Sequence, residues 1–257
     1  MTILKDSAPV FYPQTDYAVV KYLDLPKYLS LLHKQSLFFC RLDKLEDQFE
    51  GTTAKPNYDF RVDWHKYMRD AGYVTGTMTD EDILEQVKVL YDFEKKIKSI
   101  TCVCCWNKKE DESAALWKIY SDFSKGIMIK SSISRLEKSL SAAEEDIRIS
   151  EIQYLNYDKD IMPDGNTLYP IIHKQKAYSY EDEVRLIHEM KQEGWEHDWS
   201  KEYVKEGIYV RTDLTELIDE IIIGPYSPIW YFELVRDISI KFGINKLIRR
   251  SILTLNE

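Results

Sequence analysis

The stretch best suited to acid/base chemistry is Glu181-Asp-Glu183-Val-Arg185, at the end of the longer run Lys174-Gln-Lys176-Ala-Tyr178-Ser-Tyr180. Side chains alternate along an extended chain. Glu183, Arg185 and Ile187 therefore share one face, Val184, Leu186 and His188 the other, and Glu181 joins Glu183 if the strand extends backward. Two neighbouring carboxylates repel, which favours a proton on one, while a guanidinium beside them keeps the other ionised; acid/base sites use that division of roles. The competing reading of the same charges is a salt-bridged strand with one wet face.

Two further segments mix charges with aromatics. In Trp106-Asn-Lys-Lys-Glu-Asp-Glu112-Ser113-Ala-Ala-Leu-Trp117-Lys-Ile-Tyr120, residues Ser113, Trp117 and Tyr120 fall on one helical face. That face can stack a flat ring or fill a core. The segment Arg41-Leu-Asp43-Lys-Leu-Glu-Asp47-Gln-Phe49-Glu50-Gly51 leaves an apolar strand and turns at Gly51, which reads either as a capped turn with solvated charges or as part of a site.

Several familiar chemistries have no motif here. The sequence contains no G-x-x-x-x-G-K-[ST], no G-x-G-x-x-G after a strand, no H-E-x-x-H and no G-x-S-x-G. The five histidines form no close pair, and Cys40 has no histidine near it in sequence. Three of the four cysteines crowd into Thr101-Cys-Val-Cys-Cys-Trp106 without a second Cys/His pair at zinc spacing, so they read as small buried hydrophobes and no metal is expected.

The elements that must position these residues follow from periodicity. A strand is expected over 17–22, then a helix capped by Asp24 with Pro26 in its first turn, running to Lys34, and a strand over 36–41. Helices over 59–71 and 80–99 form an insertion at about 56–99, and a strand over 100–106 follows. A helix over 112–124, a strand over 127–130 and a short helix opening on the capping box Ser134-Arg-Leu-Glu137 come next. The second half is read as strands over 147–157, 183–189, 208–212 and 220–224, a helix over 229–242 and a last strand over 246–253. Helices concentrate early and strands late, which predicts an α+β fold, a mixed and mainly antiparallel sheet with a helical insertion in the first half, as one domain spanning 1–257.

The 257 residues are 44% apolar, enough for a sizeable core, and carry a net charge of -9, which disfavours nucleic acid as a partner except through a local basic groove. No run approaches a membrane span and no signal peptide is visible, so a cytoplasmic protein with no membrane partner is expected.

The motifs Leu37-Phe-Phe-x-Arg41-x-Asp43-Lys-Leu-x-Asp47-x-Phe49-Glu50-Gly51, Cys105-Trp106 and Glu112-Ser-Ala-Ala-Leu-Trp117-Lys-x-Tyr120 resemble a large bacterial and phage-associated family catalogued as a domain of unknown function. Gly126-Ile-x-Ile-x-Ser131, Tyr154-x-x-Tyr157-Asp158, Gly165-Asn166, His173-Lys174, Glu181-x-Glu183-x-Arg185 and Ile221-Ile-Ile-Gly-Pro225 extend the resemblance over about 19–253. The chain departs from that pattern at Gln48, where the family has Pro, and at Asn107, where it has His.

A second likeness is to ADP-ribosyltransferases, which present Glu-x-Glu at a loop-to-strand junction, Arg or His on an early strand and an aromatic helix between them. It implies Glu181, Glu183 and Arg41 as catalytic residues and NAD as substrate, with Arg41 on the pyrophosphate and Trp117 or Tyr120 on the nicotinamide. Trp106, Glu112, Lys174, Arg185 and Glu50 complete the expected binding set for a small-molecule or nucleotide ligand. Two alternatives stay open: a metal-dependent nuclease or phosphodiesterase using Asp47, Glu50, Glu183 and Lys176, and a non-enzymatic ligand-sensing module in phage defence.

Overall fold

Strand β3 (Thr101–Lys108) organises the protein, because it is apolar on both faces and hydrogen-bonded along both edges. The computed structural model describes residues 3–4, 10–74, 77–190 and 202–254, and among them nine strands form one sheet. β8 (Glu183–Glu189) covers one edge of β3 over its length, Thr101 facing Glu189 and Asn107 facing Glu183. The other edge is shared by β2 (Ser36–Arg41) and β1 (Ala18–Leu23).

β4 (Ile127–Ser132), β10 (Glu220–Ile223) and β11 (Leu247–Arg250) continue beyond β1, β9 (Gly207–Arg211) lies beyond β2, and β5 (Arg148–Glu151) lies beyond β8. All pairs of this sheet are antiparallel except β10 with β11. The α+β class and the mainly antiparallel sheet are thus observed.

Alternation sorts the two faces. Cys102, Cys104, Trp106, Val184 and Leu186 point into a core shared with Tyr28 and Leu32 of α1 (Leu25–Lys34), Leu136 of α5 (Ile133–Ser139) and Val235 of α8 (Ile229–Lys241). Val103 and Ile187 point the other way, against Ile97 and Ile100 of α3 (Asp80–Ile100) and Ile171 and Ile172 of α6 (Tyr169–Ile172). Burying each such side chain contributes roughly 1.5–3 kcal/mol, so the register of β8 is strongly specified. α2 (Lys55–Asp70) and α3 stand between β2 and β3 as the expected helical insertion.

Five expected elements differ in detail. The last strand, expected over 246–253, ends at Arg250 because the chain turns after Ser251. The strand over 147–157 breaks at Ile152, whose N–H bonds Glu183 O while its side chain enters the core, so β6 (Gln153–Leu155) leaves β8 and pairs instead with β7 (His173–Gln175). The helix over 112–124 shortens to α4 (Ala114–Tyr120), because Ser121 is already extended. The cap of α5 is Ser132, since the Ser134 N–H is taken by Asp16. α2 starts at Lys55, with Pro56 in its first turn, where a missing N–H does no harm. Among the described residues no helix is long and apolar enough to cross a membrane.

Candidate functional site

Five charged residues from three stretches of chain meet on the α3 face of the sheet: Glu50, Lys174, Glu181, Glu183 and Arg185. All are buried, Arg185 completely. Alternation on β8 brings Glu183 and Arg185 to one side. Arg185 Nε donates to Glu183 Oε1 at 2.6 Å, Nη2 donates to Glu183 Oε2 at 3.0 Å, and Nη1 donates to Ile171 O at 2.7 Å. The guanidinium also lies 3.1 Å from Glu50 Oε2.

Lys174 reaches in from β7, its Nζ 2.6 Å from Glu181 Oε2, 2.9 Å from Glu50 Oε1 and 3.3 Å from Glu183 Oε2. Three carboxylates around two cations leave one negative charge in excess.

Local backbone geometry makes this possible. Glu181 ends a 3-10 turn, Lys176–Glu181, and Asp182 adopts the left-handed conformation at φ 47° before the strand resumes. That reversal, not a continued strand, brings Glu181 back over Glu183. Asn107 Nδ2 donates to Glu181 O at 2.9 Å, and the Glu183 N–H donates to Tyr154 Oη at 2.8 Å. Glu50 is turned inward by Gly51 at φ 66°, where a Cβ would sit 2.6 Å from Leu42 Cδ2.

The electrostatics follow. Burial alone would raise the Glu183 carboxyl, but Arg185 and Lys174 overturn this and hold it down at about 2. Burial would lower Lys174, and the carboxylates of Glu183 and Glu50 raise it far above its usual value. Burial and then Glu183 push the Cys105 thiol well up, so it stays protonated.

Glu181 is the member nearest an aromatic surface. Tyr120, 39% exposed, donates from Oη to Glu181 Oε1 at 2.5 Å, and burial together with Glu181 pushes its phenol far up. Lys174 Nζ lies 4.8 Å from the Tyr178 ring centroid, and Tyr178 neighbours the exposed Tyr180.

Of the expected site residues, Glu50, Tyr120, Lys174, Glu181, Glu183 and Arg185 come together. Four do not. Arg41 faces Cys102 across the opposite edge of β3 from β8, roughly 17 Å along the strand from the level of Glu183. Its guanidinium is held by Asp43 at 2.6 Å, Glu202 at 2.8 Å and Val204 O, so a role beside Glu183 is corrected.

Glu112 accepts from Trp117 Nε1 at 3.1 Å, Arg249 Nη1 at 3.0 Å, the Ile252 N–H at 3.1 Å and Ser251 Oγ. It clasps the chain after β11, and these bonds hold its carboxyl below the ordinary value against burial. Trp117 packs edge-on against Tyr22 at 4.9 Å in a separate core, and Trp106 is buried on the opposite face of β3 from Arg185. Neither indole offers a ring face to a ligand.

Compared with known proteins, the chain matches no family model and no curated relative.

Asn107, Tyr154 and Tyr178 were missed as site residues. Asn107 and Glu183 are register partners, a relation that sequence does not show. The Tyr154-x-x-Tyr157 pair was the one available signal for Tyr154.

Proposed function

We propose that the protein cleaves the N-glycosidic bond of NAD, as a glycohydrolase or an ADP-ribosyltransferase, with Glu181 as the carboxylate facing the reacting carbon. The observation that carries this reading is the one excess negative charge in a nearly dry ring whose aromatic rim is Tyr120, Tyr178 and Tyr180. Breaking the bond between C1′ and the nicotinamide nitrogen leaves both electrons on nitrogen and develops positive charge on the ribose. A preorganised carboxylate at that point stabilises the transition state more than the ground state. Water, or an acceptor group losing its proton, then adds at C1′.

In this reading Arg185 and Lys174 keep Glu183 ionised and hold Glu50 in place, while Tyr120 orients Glu181 and presents its ring to the nicotinamide. Arg41 has no part. Incubation with NAD and detection of free nicotinamide tests the proposal; no release, and no modification of offered protein or nucleic acid, counts against it.

A second reading, a ligand-binding module without turnover, is favoured by the completeness of the ring: each of its five charged groups already has an oppositely charged partner. NAD-dependent thermal stabilisation with no nicotinamide release would select it. A magnesium-dependent nuclease fits less well, because Arg185 already engages the Glu50 and Glu183 oxygens that a metal would need.

A further inference from the structure

On the helical insertion, between α2, α3 and the segment 163–170, lies a groove of about 590 Å³ that the proposed reaction does not use. Phe60 and Trp64 border it and begin a ridge of three aromatic side chains on α2 that ends at Tyr67, the rings following one another at 6.3 and 5.9 Å between centroids. They recur at i, i+4 and i+7, so they share one face of the helix and span about 10 Å along it. The ridge faces solvent: Phe60, Trp64 and Tyr67 are 48%, 49% and 59% exposed, whereas Asn57 and Arg61 of the same helix are buried. A row of half-exposed rings beside a groove is a surface that a partner covers.

The charge around the ridge is mainly negative. Asp59 and Asp63, both exposed, flank it and make no ion pair among the described residues. The cations further along α2 are taken, Lys66 by Asp80 at 3.2 Å and Arg69 by Asp80 at 2.6 Å. Among the described residues lining the groove, the one Lys or Arg is Arg61, which is buried and bonded to Asp164 at 2.7 Å and to Glu94 at 2.9 Å. Counting Lys55 at the helix start, the four carboxylates of Asp59, Asp63, Glu94 and Asp164 stand against two cations. Such a surface repels nucleic acid and anionic lipid and attracts a cationic partner. A second copy of the chain fits poorly. It would set the same carboxylates against one another, and three half-exposed rings supply roughly 300 Å² against the ~800 Å² per partner of a standard stable interface.

We infer that the α2 ridge docks a short basic amphipathic helix. Such a helix repeats apolar side chains at the same i, i+4 and i+7 spacing, so leucine-sized groups meet Phe60, Trp64 and Tyr67 and enter the groove beside Leu90 and Pro170. Arginine or lysine side chains on its flanks reach Asp59 and Asp63 and lie over the ring faces, where a cation is attracted to the aromatic quadrupole. A single small cation satisfies only part of this, since the ridge is longer than one ring and carries two separate carboxylates.

The full chain is titrated, with fluorescence anisotropy as the readout, against a labelled peptide of about twelve residues that places leucine at those positions and arginine on the flanks. The controls are the same peptide with glutamate in place of arginine, and arginine amide as a competitor. The basic peptide should bind, the acidic one at least about tenfold more weakly, and arginine amide at the peptide's concentration should not displace it. Trp64→Ala, at a half-exposed position, and the pair Asp59→Asn with Asp63→Asn should each weaken binding about fivefold or more with unchanged melting curves. The pair Glu144→Gln with Glu233→Gln, which removes two exposed carboxylates elsewhere, should leave affinity unchanged. No binding, equal binding of the acidic peptide, displacement by arginine amide, full affinity in either α2 variant, or an equal loss in the Glu144 and Glu233 variant overturns the inference. No NAD enters the measurement, so its result stands apart from the one at Glu181.

Discussion

Glu183 and Arg185 grip each other through two hydrogen bonds, 2.6 and 3.0 Å, along one face of β8, and the same guanidinium reaches Glu50 from the turn after β2. A single fully buried side chain therefore neutralises carboxylates from two distant parts of the chain. Removing one partner of such a group leaves uncompensated charge where water cannot reach it. Arg185→Met should lower unfolding free energy by about 3–5 kcal/mol in urea titration; a loss under about 1 kcal/mol would mean that the ring is not the keystone described.

Acid should weaken the fold in a defined window. The folded-state pKa of Glu183 lies below its ordinary value of 4.5, at about 2, so its stabilisation is present above 4.5 and is lost as pH falls through 2. Unfolding midpoints in urea measured from pH 5 to pH 2 should fall steadily, and Glu183→Gln should flatten that part of the profile. A wild-type profile level across the window would contradict the assignment.

Asp182 tests the reversal that aims Glu181. A β-branched residue at φ 47° is strained, by about 1–2 kcal/mol, whereas glycine is not. Asp182→Val should be destabilised by that amount in thermal melts and Asp182→Gly should stay within about 0.5 kcal/mol of wild type. The 3.6 Å contact with Lys109 is exposed and contributes little. Equal stability of the two variants would remove the conformational argument.

Much of the frame was legible in the residues. The alternation of Glu183, Arg185 and Ile187 against Val184 and Leu186 is observed, as are the Asp24 cap and the insertion helices, because period and capping are local signals. The meeting of Glu50, Lys174 and Glu181 with Glu183 and Arg185 required three-dimensional information, since register and the left-handed Asp182 depend on tertiary context. Arg41 and Glu112 misled for one reason. Charged residues beside aromatics read alike whether they face a ligand or, as here, are saturated by Asp43 and Glu202 or by Arg249 and Ile252.

The most direct test of the central claim compares wild type with Glu181→Gln for nicotinamide release from NAD, with melting curves recorded on both. The account predicts release by wild type and a loss of about 100-fold or more in the variant, which keeps the size of the side chain and removes its charge. Release at the wild-type rate by a folded Glu181→Gln protein, or none by wild type, would contradict it.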